Sequence, residues 1–176
     1  IESKFEYPVF VKPSGTGSSV GVSKAKDRKQ LKEAISNALK YDSRVLVEEC
    51  IIGREVEIAV LGNEEPLASV CGEIIACNEF YDYEAKYEAE SKLIIPADIP
   101  CYEEMKNTAL KAYKAMGCEG MARIDFFVRG NEAILNEINT IPGFTSISMY
   151  SKMFEKTGIS YSELIDRLFE LAIERQ

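Results

Sequence analysis

Residues 120–139 read GMARIDFFVRGNEAILNEIN, and this stretch decides the fold class. Period-two alternation puts Arg123 and Asp125 on one face of an extended segment and Ile124 and Phe126 on the other. The same alternation puts Glu137 and Asn139 together, and Arg129-Gly130-Asn131-Glu132 between the two halves predicts a hairpin of 120–128 with 133–139. Its register has two solutions. A three-residue loop, Gly130 to Glu132, opposes Arg129 to Ala133 and brings Asp125 opposite Glu137; a two-residue Gly130-Asn131 turn sends the two carboxylates to opposite faces unless a bulge intervenes. Asp, Glu and Asn oxygens converging from neighbouring strands suit a hard cation such as Mg2+. The competing reading is the solvated polar face of an antiparallel hairpin.

Directly after this hairpin comes Asn139-Thr140-Ile141-Pro142-Gly143-Phe144-Thr145, a turn-rich run whose backbone amides suit an oxyanion. A short helix is predicted near 148–156. Ser160-x-x-Glu163 is a capping box for a terminal helix with Leu164, Leu168, Leu171 and Ala172 facing inward. Upstream, Met105, Ala109, Leu110, Ala112 and Tyr113 recur at helical spacing over 102–116, ended by Gly117. Residues 77–91 show no clean period and read as a long, tyrosine-rich loop, a length that is often functional. Strands are predicted at 45–49, 55–61 and 67–75; in the second, Glu55, Glu57 and Ala59 alternate with Val56, Ile58 and Val60 and leave one face polar.

Nearer the start, Asp27 caps a helix over 27–41 whose Leu31, Ile35, Ala38 and Leu39 share a face. Residues 6–12 form a strand closed by Pro13. The following SGTGSSVG run leaves backbone amides open to close approach by an anion. It lacks the Gly-Lys-Ser/Thr ending of a Walker A loop and the third glycine of a dinucleotide fingerprint. It therefore reads as the tip of a hairpin flap, with Val20–Val22 resuming the extended pattern and Lys12 at its base as a phosphate partner; an ordinary surface hairpin is the alternative. Strands outnumber the connections that α/β winding needs, so the fold class is α+β, with mostly antiparallel sheets and packed helices.

The chain has 176 residues, 46% of them apolar, enough for one domain or two small lobes with a real core. Its 21 Lys+Arg against 29 Asp+Glu give a net charge of −8, which excludes a basic field for nucleic acid or an anionic membrane surface. There is no histidine, so Ser–His or Cys–His nucleophile pairs and histidine-ligated zinc are excluded. The chemistry is left to carboxylates, Lys, Arg, Tyr, backbone amides and oxygen-bound metals. Five cysteines, odd in number and without C-x-x-C spacing, point to reduced thiols and a cytoplasmic location. No leader or long apolar run suggests export or spanning, and the start at Ile1 suggests a piece of something longer.

Together with YPVFVKP at 7–13 and FYDYEAKY at 80–87, the Gly15–Gly21 loop, GMARID and LNEINTIPGFT closely resemble the D-alanine–D-alanine ligases of the ATP-grasp superfamily, nearly end to end. The resemblance implies two subdomains clasping a nucleotide cleft. Residues 1–65 would belong to the central subdomain, and 66–176 to the C-terminal one. It implies ATP and Mg2+ (or Mn2+), with D-alanine as substrate, and a homodimeric whole enzyme serving peptidoglycan precursor synthesis. Lys12 and Lys86 would meet the phosphates, Glu48, Glu49, Ile51 and Phe80 would line the nucleotide site, and Glu55 would hold the ribose. Asp125, Glu137 and Asn139 would ligate magnesium. Arg123 and the Gly143 amide would stabilise the oxyanion. Ser18 and Tyr87 would reach the substrates, and Ser148 with the Met149 amide would grip the acceptor carboxylate.

The Glu-Ala-Lys-Tyr loop resembles D-alanine-specific members rather than depsipeptide-forming ones, which carry a histidine there; separation from D-serine ligases is weaker. The resemblance covers only the later part of such an enzyme, so the 176 residues alone are expected to be inactive. Two rivals remain. Another ATP-grasp carboxylate–amine ligase is disfavoured by the 81–87 loop and by Ser146-Ile-Ser148-Met149. A non-catalytic nucleotide-binding module is disfavoured by intact Lys12, Asp125, Glu137 and Asn139.

Overall fold

The computed structural model describes residues 1–75, 92–145 and 147–175. Among these, Ile1–Ile52 form one compact unit, and Gly53–Ile75 with 92–175 form a second.

In the first unit, β1 (Val9–Pro13) lies between β2 (Ser23–Ala25) and β3 (Val45–Glu49), antiparallel to both. Val9 and Val11 on β1 and Ala25 on β2 meet Leu31, Ala34 and Ala38 of α1 (Arg28–Ala38), the inward stripe of that helix. Asp27 caps α1 by accepting from the Gln30 amide at 2.9 Å. The extended pattern resumes at Ser23, not Val20, because Ser18, Ser19 and Gly21 have φ of 51°, 61° and 78°. Gly21 is required there: a Cβ would lie 2.7 Å from Pro13 Cγ and 2.8 Å from Tyr41 Cδ2.

The second unit is built on a five-stranded antiparallel sheet. Its strands are β4 (Arg54–Gly62), β5 (Leu67–Ile75), β6 (Lys92–Ile94), β7 (Gly120–Arg129) and β8 (Glu132–Asn139), in spatial order β6-β5-β4-β7-β8. The second unit includes β4 from its first residue, since β4 pairs along its length with β5 and β7. On one face, Val56, Ile58, Ala122, Ile124 and Phe126 pack against Met105, Ala109 and Tyr113 of α2 (Tyr102–Ala115). On the other face lies α3 (Met149–Thr157), followed by α4 (Tyr161–Glu174). Gly72 on β5 admits α3 this closely, since a Cβ there would lie 2.5 Å from Met149 Cε.

Two polar devices hold the sheet to its helices. A bulge on β5 opposite Ala59 breaks the ladder, and side chains replace the lost partners: the Ala59 amide donates to Ser69 Oγ at 3.0 Å and the Val70 amide to Thr157 Oγ1 of α3 at 3.0 Å. The phenols of Tyr113 and Tyr150 donate to the Gly62 and Val60 carbonyls at 2.7 and 2.9 Å, and burial raises both phenol pKa values above the ordinary one.

Expectations for two faces change. The face with Glu57 and Ala59 is covered, leaving Glu57 6% and Ala59 0% exposed. On α4 only Leu164 is fully buried; Leu168 and Leu171 are half-buried and Ala172 is exposed, although Asn63 Nδ2, just past β4, donates to the Leu171 carbonyl at 3.0 Å. Ser160 Oγ still accepts from the Glu163 amide, as the capping box predicts. The four described cysteines are free thiols. No described helix is long and apolar enough to cross a membrane.

Arg54 forks onto Glu73 (2.7 and 2.8 Å) and donates its remaining arm to the Asp98 carbonyl at 2.9 Å. This guanidinium holds the Glu73 carboxyl below its ordinary value of 4.5, outweighing the opposing effect of burial. A depressed carboxylate contributes stability above its unfolded value and loses it as pH falls through the lower folded value. Glu73→Gln is therefore expected to flatten the loss of stability below pH 4.5, read as urea midpoints against pH. An acid limb identical to that of the unsubstituted protein would contradict this.

Candidate functional site

The turn joining β7 to β8 contains two residues, Gly130 and Asn131, with Arg129 opposite Glu132. Only the first has positive φ (62°), as in a type II′ turn. That turn alone would oppose Asp125 to Asn136. Instead the register shifts between Asp125 and Phe126: Leu135 faces Phe126, Glu137 faces Asp125, and Asn136 is the extra residue. Of the two solutions open from sequence, the bulged one is realised.

The bulge completes a grid. Glu57, Asp125 and Glu137 stand opposite one another across β4, β7 and β8, and Ala59, Arg123 and Asn139 form the neighbouring row. Arg123 forks onto Asp125, Nε to Oδ1 at 2.7 Å and Nη2 to Oδ2 at 2.8 Å, and its Nε lies 3.2 Å from Glu57 Oε2. Burial disfavours the Arg123 charge, but Asp125, Glu57 and Glu137 outweigh it and raise its pKa, so the guanidinium stays protonated. The Asn139 amide donates to Asp125 Oδ2 at 2.9 Å and to Glu137 Oε1 at 3.3 Å. One amide reaching both carboxylates shows that their oxygens converge on a point, and rotating it would present Asn139 Oδ1 to the same point. This set of hard oxygens fits a divalent cation with open positions for phosphate oxygens.

The 140–148 loop follows β8. Ser148 is the N-cap residue of α3, and its Oγ accepts from the Thr145 amide at 3.0 Å and pairs with Thr145 Oγ1 at 2.9 Å. Ser151 Oγ ties down the Thr145 carbonyl at 2.7 Å. The first-turn amides of α3, starting at Met149, have no intrahelical acceptor and offer a carboxylate site. Gly143 is exposed in this loop; a Cβ there would lie 3.3 Å from Ser148 Oγ.

In the first unit, Lys12 Nζ pairs with Glu48 Oε1 at 2.7 Å across β1 and β3. Glu49 is exposed at the end of β3 and Ile51 is half-buried just beyond. Ser18 is exposed in the β1–β2 loop, which is held by Thr16 Oγ1 donating to the Val20 carbonyl at 2.9 Å. Glu55 is half-buried on β4 of the second unit. Phe80, Lys86 and Tyr87, with the rest of the 77–91 loop and Ser146, lie outside the described residues. Sequence reasoning missed Glu57 as a site residue. The available signal was Gly72, an isolated strand glycine marking close approach of another element to that face.

The family model described as D-ala D-ala ligase C-terminus matches residues 1–170. A D-alanine–D-alanine ligase of Acetivibrio thermocellus is 61% identical over 180 residues, covering 99% of this chain and 48% of its own length. The solved structure of the VanG D-Ala:D-Ser ligase from Enterococcus faecalis is 41% identical with a TM-score of 0.87, covering 97% of this chain and 51% of its own. The D-alanine–D-alanine ligase structure from Coxiella burnetii is also 41% identical, with a TM-score of 0.82, covering 97% of this chain and 45% of its own. The chain thus spans about half the length of the relatives it matches. With the antiparallel sheets, the α+β architecture and this family match, the chain belongs to the D-alanine–D-alanine ligase C-terminal family of the ATP-grasp fold.

Proposed function

We propose that the chain is the catalytic part of an ATP-dependent, ADP-forming ligase that joins two D-alanines for peptidoglycan precursor synthesis in the cytoplasm, the whole enzyme acting as a homodimer. The observation that carries this reading is the convergence of Asp125, Glu137 and Asn139 beside a half-buried, charged Arg123 on one sheet face. Magnesium or manganese, when held by those three side chains, supplies the charge that offsets the polyphosphate. Lys12, with Lys86, meets phosphate oxygens; Glu48, Glu49, Ile51 and Phe80 line the nucleotide, and Glu55 takes the ribose hydroxyls.

A D-alanine carboxylate oxygen attacks the γ-phosphorus, the bond to the β–γ bridging oxygen breaks, and ADP leaves. The amine of a second D-alanine then attacks the acyl phosphate carbon and gives up a proton, and inorganic phosphate departs. Arg123 and the Gly143 amide are donors for the oxyanion formed between these events. Ser148 and the Met149 amide hold the acceptor carboxylate at the α3 N-terminus, where the helix dipole favours an anion. Ser18 and Tyr87 close on the substrates. None of these tasks needs a histidine, consistent with a chain that has none.

The test is amino-acid-dependent ADP formation by the complete polypeptide carrying these residues, with D-alanine, D-serine and D-lactate offered as acceptors. D-alanine is expected to give the highest kcat/KM. Preference for D-serine would move the reading to the acceptor class named for the Enterococcus relative. No stimulation by any D-amino acid would end the ligase reading.

A further inference from the structure

We propose that Glu57 is a positioning residue that keeps Arg123 in place when Asp125 is committed to a divalent cation, an inference that rests on the ligase reading of this site. Three observations lead to it. First, one guanidinium serves two carboxylates: Asp125 receives Nε and Nη2 at 2.7 and 2.8 Å, and Glu57 lies 3.2 Å from the same Nε. Second, both oxygens of Asp125 are engaged by Arg123, and Oδ2 also accepts from Asn139. A carboxylate whose lone pairs turn toward a cation weakens its grip on an arginine fork. Third, Glu57 is the most enclosed member of the cluster, its side chain 8% exposed against 16% for Asp125 and 23% for Arg123.

Glu57 does not read as a further cation ligand. It shares the cross-strand row with Asp125 and Glu137, yet no group of three carboxylates able to hold a metal ion occurs among the described residues. Its chemistry is that of a fixed anion behind Arg123. Held at Nε by Glu57, the guanidinium keeps its position and directs its Nη donors toward the developing oxyanion. Without Glu57, the ion-pair partner left to Arg123 among the described residues is Asp125, the same group the cation takes. A buried anion on the neighbouring strand thus lets one arginine change partners without leaving the site.

Two measurements decide this. In the first, the Nε–H resonance of Arg123 is followed by 15N NMR in the complete, unsubstituted protein as Mg2+·ATP is added. The expected result is an Nε–H that stays hydrogen-bonded and slow to exchange while the Nη signals shift. Exchange rising to that of an exposed arginine would overturn the proposal, and this arm needs no variant to fold. In the second, Glu57→Gln, which conserves shape, is expected to lower kcat about tenfold with the KM for ATP changed less than twofold. The same substitution placed on Arg123→Lys is expected to add less than a twofold loss. A kcat within twofold of the unsubstituted enzyme, or an equal tenfold loss on Arg123→Lys, would overturn it. An unsubstituted protein with no D-amino-acid-dependent turnover would defeat the ligase reading instead, and the NMR arm would still decide the role of Glu57.

Discussion

Asp125→Asn is expected to lower D-alanine-dependent ADP formation by the complete enzyme about 10²–10³-fold, the scale of losing a charged group aimed at developing charge. Asn is isosteric, so β7 keeps its register and its pairing with β4 and β8. What is lost is one of the two carboxylates that the Asn139 amide spans, with the charge that a cation needs and half of the fork from Arg123. Steady-state kinetics over a range of Mg2+ concentrations, with a thermal melt alongside, check it. Turnover within threefold of the unsubstituted enzyme at saturating Mg2+ would remove Asp125 from the machinery.

The adjacent residue gives the opposite result. Phe126 is 2% exposed on the α2 face, and Phe126→Ala is expected to destabilise the chain by about 3–5 kcal/mol. Against a typical domain stability of about 5–15 kcal/mol, that loss is a large fraction of the total. Phe126→Leu, which conserves more volume, is expected to cost about 1.5 kcal/mol or less. The urea midpoint should fall with little change in slope, and nucleotide binding should survive wherever the variant is folded. A midpoint within 0.3 M of the unsubstituted protein, on the order of one tenth of that loss at ordinary slopes, would contradict the packing argument. Two consecutive residues on one strand thus separate chemistry from stability, because successive side chains point to opposite sides of the sheet.

That alternation explains what the sequence makes legible. Arg123 with Asp125, and Glu137 with Asn139, share a face by period two, and the structure pairs them across β7 and β8. Period two says which residues share a face but not what covers it. Glu57 therefore read as the wet half of an amphipathic strand, whereas α3, contributed from about ninety residues later, encloses that face. The bulge has no composition of its own either: Asn136 is an unremarkable polar residue whose unpaired state follows from fitting a two-residue turn at one end of the hairpin to a carboxylate row at the other. The early restart of β2 fails for a local reason, as Ser18 and Ser19 both adopt left-handed backbone, rare for residues with a Cβ. By contrast, the Asp27 and Ser160 caps are local chemistry and appear where the sequence puts them.

The extra residue at Asn136 also makes the hairpin tolerant of length. It divides β8 into a tip segment registered by the Gly130-Asn131 turn and a base segment registered by the site, and it works as an expansion joint between them. A three-residue tip with a regular β8 would leave Glu137 opposite Asp125, as the two-residue tip with the bulge does. Drift in loop length at the exposed end can thus be taken up inside the strand, and the end that carries Asp125, Glu137 and Asn139 is insulated from it.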